Sequence, residues 1–427
     1  LITPQEYGDF VYAPVVGEAK IGNQGFLTLQ DAVASASDGD MILLTKDISD
    51  GKALYTTAVG AHVCTAGSSE QKTTWPKKVT IDFQWHTYNV ADAVGSCGTE
   101  SQAAHFEKWS EITLKNWTLT SNNAHVHMII QNYAKLTLEN FTLDAADLES
   151  LPVYAISNNF WELNVHGDSH INAGEWGIAF DLWYWMSANY DGGVSVKFAS
   201  DFVGSVDGDI EYGPANRVKS APNWEEKAML SIEGNWTFGW SIKASNWNDL
   251  KKANIGILAN DHSANARYNT FIENHGDITI GDSTNDKNIG SWAIYGYNIT
   301  TGAKADGTKS KITVNKNNDG IYSGDGDVNI QQTKILVGND TVMGHIKTTS
   351  GVSTTTGAYP INRQSQYANP NNLLSALDVP RERDSVIGVY IDSNKTKTNT
   401  VRNINVSADM DIDRFSYGIV MAEKNGR

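Results

Sequence analysis

Short runs of alternating apolar and polar residues recur along most of the chain. Two of them are near copies that begin 24 residues apart: residues 112–120, Ile-Thr-Leu-Lys-Asn-Trp-Thr-Leu-Thr, and residues 136–144, Leu-Thr-Leu-Glu-Asn-Phe-Thr-Leu-Asp. Alternation with a period of two is typical of a strand with one buried face. Related runs begin at Val79, Leu163, Val194, Leu230, Ile278, Ile312, Val328 and Ile404. This pattern predicts an all-β protein built from repeated short strands.

Asn or Gly follows most of these runs, as Asn116 and Asn140 do in the two near copies. Few other side chains tolerate the positive φ of a sharp bend. A repeated unit of short strands and bends predicts one turn of a solenoid, whose turns stack ~4.8 Å apart. A β-sandwich or a propeller would also show alternation, but neither predicts a near copy 24 residues later.

One segment has helical periodicity instead. Leu29, Ala32, Val33 and Ala36 fall on one face of a helix, and Thr28 with Asp31 resembles a capping box at its start. Gly39 stands where such a helix is expected to stop, before a first buried strand at residues 41–44. We predict a helix that caps the first turn of the solenoid and covers its edge.

Several of these runs resemble a known family. Residues 27–44 resemble the capping helix and first strand of pectin-lyase-like right-handed parallel β-helix proteins, and residues 79–82 and 112–119 resemble the coils that follow in many bacterial surface proteins. The irregular runs 319–330 and 416–426 are similar to passenger regions of large bacterial autotransporter adhesins, including fusobacterial ones. The resemblance implies a right-handed parallel β-helix with an N-terminal capping helix and inserted loops. Such degenerate motifs specify a fold better than a function.

Charge divides the chain unevenly. The net charge is −16, yet residues 301–427 contain 15 basic and 13 acidic residues, so the preceding 300 residues are strongly acidic. All 13 tryptophans lie at or before Trp292. We predict three regions: 1–45 with the capping helix and first strand, 46–300 with acidic, Trp-rich coils and inserted loops, and 301–427 with regular Asn/Thr/Gly-rich coils. An acidic body disfavours a nucleic-acid partner, because it repels phosphates.

The location of the protein is predicted from its cysteines and its ends. Cys64 and Cys97 are the only two cysteines, and a disulfide between them would indicate an oxidising compartment; two free thiols are the alternative. No apolar run approaches the ~18 residues of a membrane span. The sequence begins at Leu1 and stops at Arg427 directly after a strand pattern. We therefore expect a fragment of an extracellular protein of the bacterial surface, anchored in the outer membrane through a missing C-terminal region.

Catalytic and metal-binding motifs are sparse. The Asn-Thr-Asp, Asp-Asp and Gly-His-Gly motifs of polygalacturonase-like enzymes do not occur, and neither do a phosphate-binding loop, a Gly-x-Ser-x-Gly motif or a CxxC pair. His125 with His127, and His166 with His170, are two-residue sets that lack an identifiable third zinc ligand. We predict no enzyme activity, no catalytic residue, no metal site and no cofactor.

An aromatic cluster is the main candidate for ligand binding. Residues 176–190 contain six aromatics among 15 positions, within a spacing between strands longer than 24 residues. Aromatic faces beside Asp and Asn stack on sugar rings or anchor a protein partner, whereas Phe180, Leu182 and Tyr184 could instead form core. The predicted contact residues are Trp176, Asp181, Trp183, Tyr184, Trp185 and Tyr190.

The function predicted from these features is that of a bacterial surface adhesin fragment. It would act as a monomer in host-cell adhesion and virulence, binding a host glycan or a host cell-surface protein through loops on a β-helical stalk. Two alternatives stay open: an extracellular polysaccharide lyase or glycoside hydrolase, which needs converging carboxylates, and a structural spacer, which needs no exposed aromatic patch.

Overall fold

The structure is a computed structural model that describes residues 17–57, 62–66, 70–71, 75–148, 153–159, 162–173, 178–184, 195–207, 209–214, 228–232, 236–238, 257–258, 270–280, 289–296, 298–314, 317–323, 326–338, 387–393, 403–410 and 417–423. Over these residues the protein consists of β-strands, mostly in parallel sheets, and a single short helix. The all-β prediction is confirmed.

The N-terminal elements form a cap. Strands β1 (Ala19–Ile21) and β2 (Gln24–Phe26) make an antiparallel hairpin, and helix α1 (Leu29–Ser35) follows. Thr28 is the N-cap of α1, since its Oγ1 accepts a hydrogen bond from the Asp31 N–H at 3.0 Å. Leu29, Ala32 and Val33 are buried, as predicted. The helix ends at Ser35, earlier than the sequence suggested, because Ala36 is already extended.

Most strands after the cap belong to three parallel ladders, in which each strand pairs with the corresponding strand further along the chain. The first ladder contains β3 (Met41–Leu44), β8 (Lys78–Asp82), β12 (Glu111–Ser121), β14 (Lys135–Asp144), β16 (Glu162–His166), β19 (Ser195–Phe198), β22 (Ala228–Ile232), β25 (Thr270–Asn274), β28 (Asn298–Thr301), β31 (Val328–Ile330) and β34 (Ile404–Val406).

The second ladder runs beside the first and shares two long strands with it. It contains β4 (Ile48–Gly51), β9 (Thr87–Val90), the second halves of β12 and β14, β17 (His170–Asn172), β20 (Ser205–Asp207), β23 (Trp236–Phe238), β26 (Ile278–Ile280), β29 (Ser310–Val314), β32 (Thr333–Val337) and β35 (Asp409–Met410).

The third ladder is formed by two further parallel sheets. One contains β5 (Leu54–Thr56), β11 (Thr99–Phe106), β13 (Met128–Asn132), β15 (Tyr154–Asn158), β18 (Ile178–Tyr184) and β21 (Asp209–Pro214). The other contains β24 (Ile257–Leu258), β27 (Ile289–Gly296), β30 (Asn317–Ser323), β33 (Ile387–Ser393) and β36 (Tyr417–Glu423). We call one set of first-, second- and third-ladder strands a pass.

The 24-residue repeat seen in the sequence corresponds to one pass. Ile112 pairs with Leu136, Leu114 with Leu138, and Leu119 with Leu143 in unbroken parallel register. The Asn between the two halves of each repeat forms the bend: φ is 60° at Asn116 and 50° at Asn140. The prediction that these two asparagines form sharp bends with positive φ is confirmed.

An antiparallel extension lies at the edge of the third ladder. Strands β6 (Val63–Thr65), β7 (Glu70–Gln71) and β10 (Val94–Ser96) pair with one another and with β11. Cys64 in β6 and Cys97 directly after β10 form a disulfide, with Cα atoms 4.9 Å apart. The predicted disulfide is confirmed.

The core lies between the ladders and is continuous along them. Fully buried Ile81, Leu114, Leu138, Val165 and Val196 occupy the inner face of the first ladder in successive passes. The connections between the first and second ladders have at most eight residues, whereas longer segments, such as 339–386, stand in the sequence between a second-ladder strand and the next third-ladder strand. No helix in the described part of the chain is long and apolar enough to cross a bilayer.

Candidate ligand-binding site

The aromatic cluster predicted from the sequence lies mostly beyond what the structure describes. Phe180 in β18 is fully buried, as expected of a core residue. The backbone of Asp181, Trp183 and Tyr184 belongs to β18 and pairs with β21, but these side chains lie outside the described part. Trp176, Trp185 and Tyr190 also lie outside the described residues. Their role as contact residues stays a prediction.

A different pair of tryptophans is exposed on the described surface. Trp85 and Trp117 lie at the bends between the first and second ladders in two neighbouring passes, and are 63% and 46% exposed. Their ring centroids are 5.7 Å apart and the ring planes meet at 65°. The two indoles therefore meet edge to face and together form an exposed aromatic surface. We call this pair the tryptophan corner.

The backbone of the tryptophan corner is strained. Gln84, Trp85 and Trp117 have φ values of 48°, 66° and 133°, a region that bulky residues rarely adopt. Asn116 and Asp82 hold the conformation: the Trp85 N–H donates to the Asn116 carbonyl at 3.0 Å, and Asp82 Oδ1 accepts from Asn116 Nδ2 and from the Gln84 N–H, both at 2.9 Å. Strain that the surrounding contacts maintain is common at functional sites.

Trp117 occupies a position that is core in the next pass. Its register partner Phe141 is fully buried, and so is Phe83 in the preceding pass. With the indole turned outward, the rings of Phe83 and Phe141 meet with centroids 4.7 Å apart. The core is thus filled without Trp117, and its apolar surface is left for contacts outside the fold.

Polar groups surround the tryptophan corner. Lys115 Nζ lies 3.8 Å from Asp82 Oδ2. Beside Trp85, His86 Nδ1 lies 3.3 Å from Asp47 Oδ1, which also accepts the Thr87 N–H at 2.9 Å. The Asp47 side chain is 77% exposed, so its carboxylate faces the solvent.

The same bend continues over later passes with imidazole–carboxylate pairs. His166 Nδ1 lies 3.2 Å from Asp201 Oδ1, and His170 Nε2 lies 3.1 Å from Asp168 Oδ1. Glu139 is the register neighbour of both Lys115 and His166. These groups offer hydrogen-bond donors and acceptors along the line that starts at the tryptophan corner.

A second polar cluster lies at the bend between β11 and β12. His105 faces Gln102 Oε1 through Nδ1 at 2.8 Å and Glu107 Oε2 through Nε2 at 3.2 Å. Burial alone would raise the pKa of Glu107, but the hydrogen bond and charge of His105, with the backbone N–H and ammonium of Lys108, outweigh it and lower that pKa. Because both acidic and basic groups are already paired, this cluster stabilises the bend.

Cation-paired carboxylates are common on the described strands and bends. Asp82, Asp92, Glu111, Glu162, Asp277 and Asp409 each contact a lysine. Over the described ranges, no three His, Cys, Asp or Glu side chains are grouped as a metal site would require. The tryptophan corner offers aromatic surface together with hydrogen-bonding groups.

No family model, curated protein or solved structure matches the sequence.

The sequence did not single out Trp85 or Trp117. Alternation counted back from buried Leu119 places Trp117 on the inner face, where Phe141 in fact lies. The positive φ at both Asn116 and Trp117 breaks the alternation and turns the indole outward. Aligning the two repeats places Trp117 opposite Phe141 next to a bend. A larger residue at a core position is the feature of the sequence that could have indicated an exposed Trp117.

Proposed function

We propose that the protein is an extracellular bacterial surface adhesin that binds a host glycan without turning it over, with the tryptophan corner as its contact surface. The observation that carries the proposal is the exposed Trp85–Trp117 pair on a strained backbone, surrounded by hydrogen-bonding groups. Exposed aromatic rings beside Asp, Asn and His suit a ligand that has both apolar faces and hydroxyl groups.

We propose that the ladders form a right-handed parallel β-helix with the α1 region as its N-terminal cap. Three parallel ladders, each pairing successive passes, support a solenoid. Parallel strands joined by a crossover are right-handed in ~98% of cases. Such a stack would hold the binding surface on a stiff support, and the Cys64–Cys97 disulfide suits an oxidising extracellular location.

The proposal is tested by screening the protein against an array of glycans and host surface proteins beside Trp85→Ala/Trp117→Ala. We expect glycan binding that the double variant weakens by at least about tenfold, which corresponds to ~1.4 kcal/mol of binding free energy. Trp109→Ala is the matched control, since Trp109 is also 46% exposed and has a positive φ of 69° but lies at another bend.

Three outcomes would contradict the proposal. Equal glycan binding by the double variant and the native chain would remove the tryptophan corner from the site. Binding to host proteins but to no glycan would show that the ligand is a protein and not a glycan. Release of shortened or unsaturated sugars from a polysaccharide would instead support the enzyme alternative.

A further inference from the structure

We infer that the ligand is an extended, uncharged oligosaccharide that lies parallel to the ladder axis, across the bends of successive passes. The inference rests on the proposed function and names the class of glycan and its direction of binding. It depends on one surface, which we call the bend row: Asp47, Asp82, Trp85, His86, Lys115, Trp117, Glu139, His166, Asp168 and Asp201.

The bend row is continuous because neighbouring bends are hydrogen-bonded directly to one another. The Trp85 N–H donates to the Asn116 carbonyl, and the Val203 N–H donates to the Gly167 carbonyl, both at 3.0 Å. The Asp168 N–H donates to Asn140 Oδ1, also at 3.0 Å. With ~4.8 Å between stacked strands, the four steps from the bend of Trp85 to that of Asp201 span about 19 Å.

The bends of the bend row are tight. Gly167 has a φ of 61°, and a Cβ placed there would lie 2.2 Å from Asn140 Oδ1, so a side chain does not fit between these two bends. The short connections leave the exposed side chains of the row open: Asp168 and Asp201 are 70% and 61% exposed. A long ligand therefore has a path over the bends.

The outer face of β13 and β15 in the third ladder does not offer a comparable path. Every residue of β13 and β15 is buried, on the outer as well as the inner face. Outward-facing Gln131 and Ser157 are only 5% and 6% exposed. Unlike these two strands, the bend row combines exposed aromatic rings with polar groups in one line.

The two ends of the bend row have different chemistry. The tryptophan corner supplies apolar faces for stacking, whereas His166, Asp168 and Asp201 supply one imidazole and two exposed carboxylates that can bind hydroxyl groups. A single sugar ring cannot contact both ends. An oligomer of several rings can stack at one end and donate hydroxyl hydrogen bonds at the other.

Charge decides between neutral and acidic glycans. The bend row contains five carboxylates, Asp47, Asp82, Glu139, Asp168 and Asp201, and one ammonium, Lys115. Lys115 is already engaged by Asp82. A uronate, sialate or sulfate group would therefore meet unbalanced negative charge on a chain whose net charge is −16, and it would be repelled.

The experiment measures dissociation constants for neutral hexose and N-acetylhexosamine oligomers of one to six rings, and for the same oligomers with C6 carboxylates. We expect affinity to rise with the number of rings until the oligomer spans the bend row. Carboxylated oligomers should bind at least about tenfold more weakly, most clearly at low salt where charges are least screened.

Variants locate the two ends of the ligand. His166→Ala and Asp201→Asn should weaken the longest oligomers about tenfold and leave the shortest binding oligomer unchanged. His275→Ala is the matched control: His275 also pairs with a carboxylate, Glu273, at 2.8 Å, but it lies beyond the bend row. Circular dichroism and thermal melting show whether each variant keeps the native fold.

Failure of this inference is distinguishable from failure of the proposed function. Binding that needs the tryptophan corner but is independent of ring number and of His166 would overturn the extended ligand and leave the adhesin proposal intact. Equal or tighter binding of the carboxylated oligomers would overturn the preference for uncharged sugars. Absence of any tryptophan-dependent glycan binding would overturn both.

Discussion

Trp85 combines exposure with an unfavourable backbone conformation. A non-glycine residue in the left-handed region loses about 1–2 kcal/mol relative to the right-handed one, because its Cβ approaches the following carbonyl oxygen. Trp85 adopts this conformation at φ 66°, directly after Gln84 at φ 48°. A bulky residue at a strained, exposed position adds little to the stability of the fold, which favours a role of Trp85 in binding.

This strain gives a prediction about stability. Trp85→Gly and Trp85→Ala both remove the indole, but only glycine adopts a positive φ without steric conflict. We expect the Gly variant to be more stable than the Ala variant by about 1 kcal/mol in urea denaturation, while both lose glycan binding.

Met41 provides the control for that comparison. It is an exposed apolar residue in strand β3 and is not among the residues with positive φ. At this position Met41→Ala should be more stable than Met41→Gly, since glycine in a strand loses more backbone entropy. If the Ala variant is more stable than the Gly variant at position 85 as well as at position 41, the Trp85 backbone is not strained.

At the scale of elements, the sequence predicted best where local and periodic constraints agree. The helix was predictable because Thr28 provides a cap and Leu29, Ala32 and Val33 share one face. The stacking of β12 on β14 was predictable because the two repeats align residue for residue. The 33-residue separation of Cys64 and Cys97 left free thiols open, and only the antiparallel pairing of β6 with β10 brings them together.

Side-chain orientation at the bends was not predictable in this way. Alternation holds only while the backbone stays extended, and Asn116 and Trp117 both leave that conformation. The candidate site lies at such a bend, so the sequence pattern that predicts the strands fails where the tryptophan corner is formed.

The bend between β11 and β12 gives a prediction about pH. Because interactions with His105 and Lys108 lower the pKa of Glu107 below 4.5 despite its burial, its ionised form stabilises the native state. This stabilisation is present above the unfolded pKa and is lost as pH falls through the folded pKa. We expect Glu107→Gln to reduce the free energy of unfolding by about 1–3 kcal/mol at pH 7, and this difference to vanish below the folded pKa.

Glu18 is the control with the opposite sign. Burial, with the nearby charges of Asp50 and Asp31, raises the pKa of Glu18 even though its carboxylate accepts the Leu29 N–H. Its contribution is present below the unfolded pKa and is lost as pH rises through the folded pKa. Glu18→Gln should therefore be neutral or stabilising at pH 7. If Glu18→Gln and Glu107→Gln change the free energy of unfolding with the same pH dependence, the opposite pKa shifts assigned to the two residues are wrong.

At the scale of the whole molecule, stability should be local along the stack. Along the stack, each described ladder strand pairs with the corresponding strands of the adjacent passes, so cooperativity depends on contacts between adjacent passes, as in other repeat architectures. The described core extends continuously from the cap to Ile391 in β33. Comparing distant passes is therefore a direct measurement of how far a local disruption spreads.

Leu138 and Ile335 allow that measurement, since both are fully buried in ladder strands, β14 and β32, that are many passes apart. Replacing either by Ala should remove about 2–5 kcal/mol of local packing energy. We expect Leu138→Ala to increase amide hydrogen exchange in β12, β14 and β16 while β29 and β32 keep their protection, and Ile335→Ala to give the reverse. If either variant reduces protection equally around β14 and around β32, unfolding is globally cooperative. The effect of one cavity would then extend along the whole stack instead of decaying between neighbouring strands.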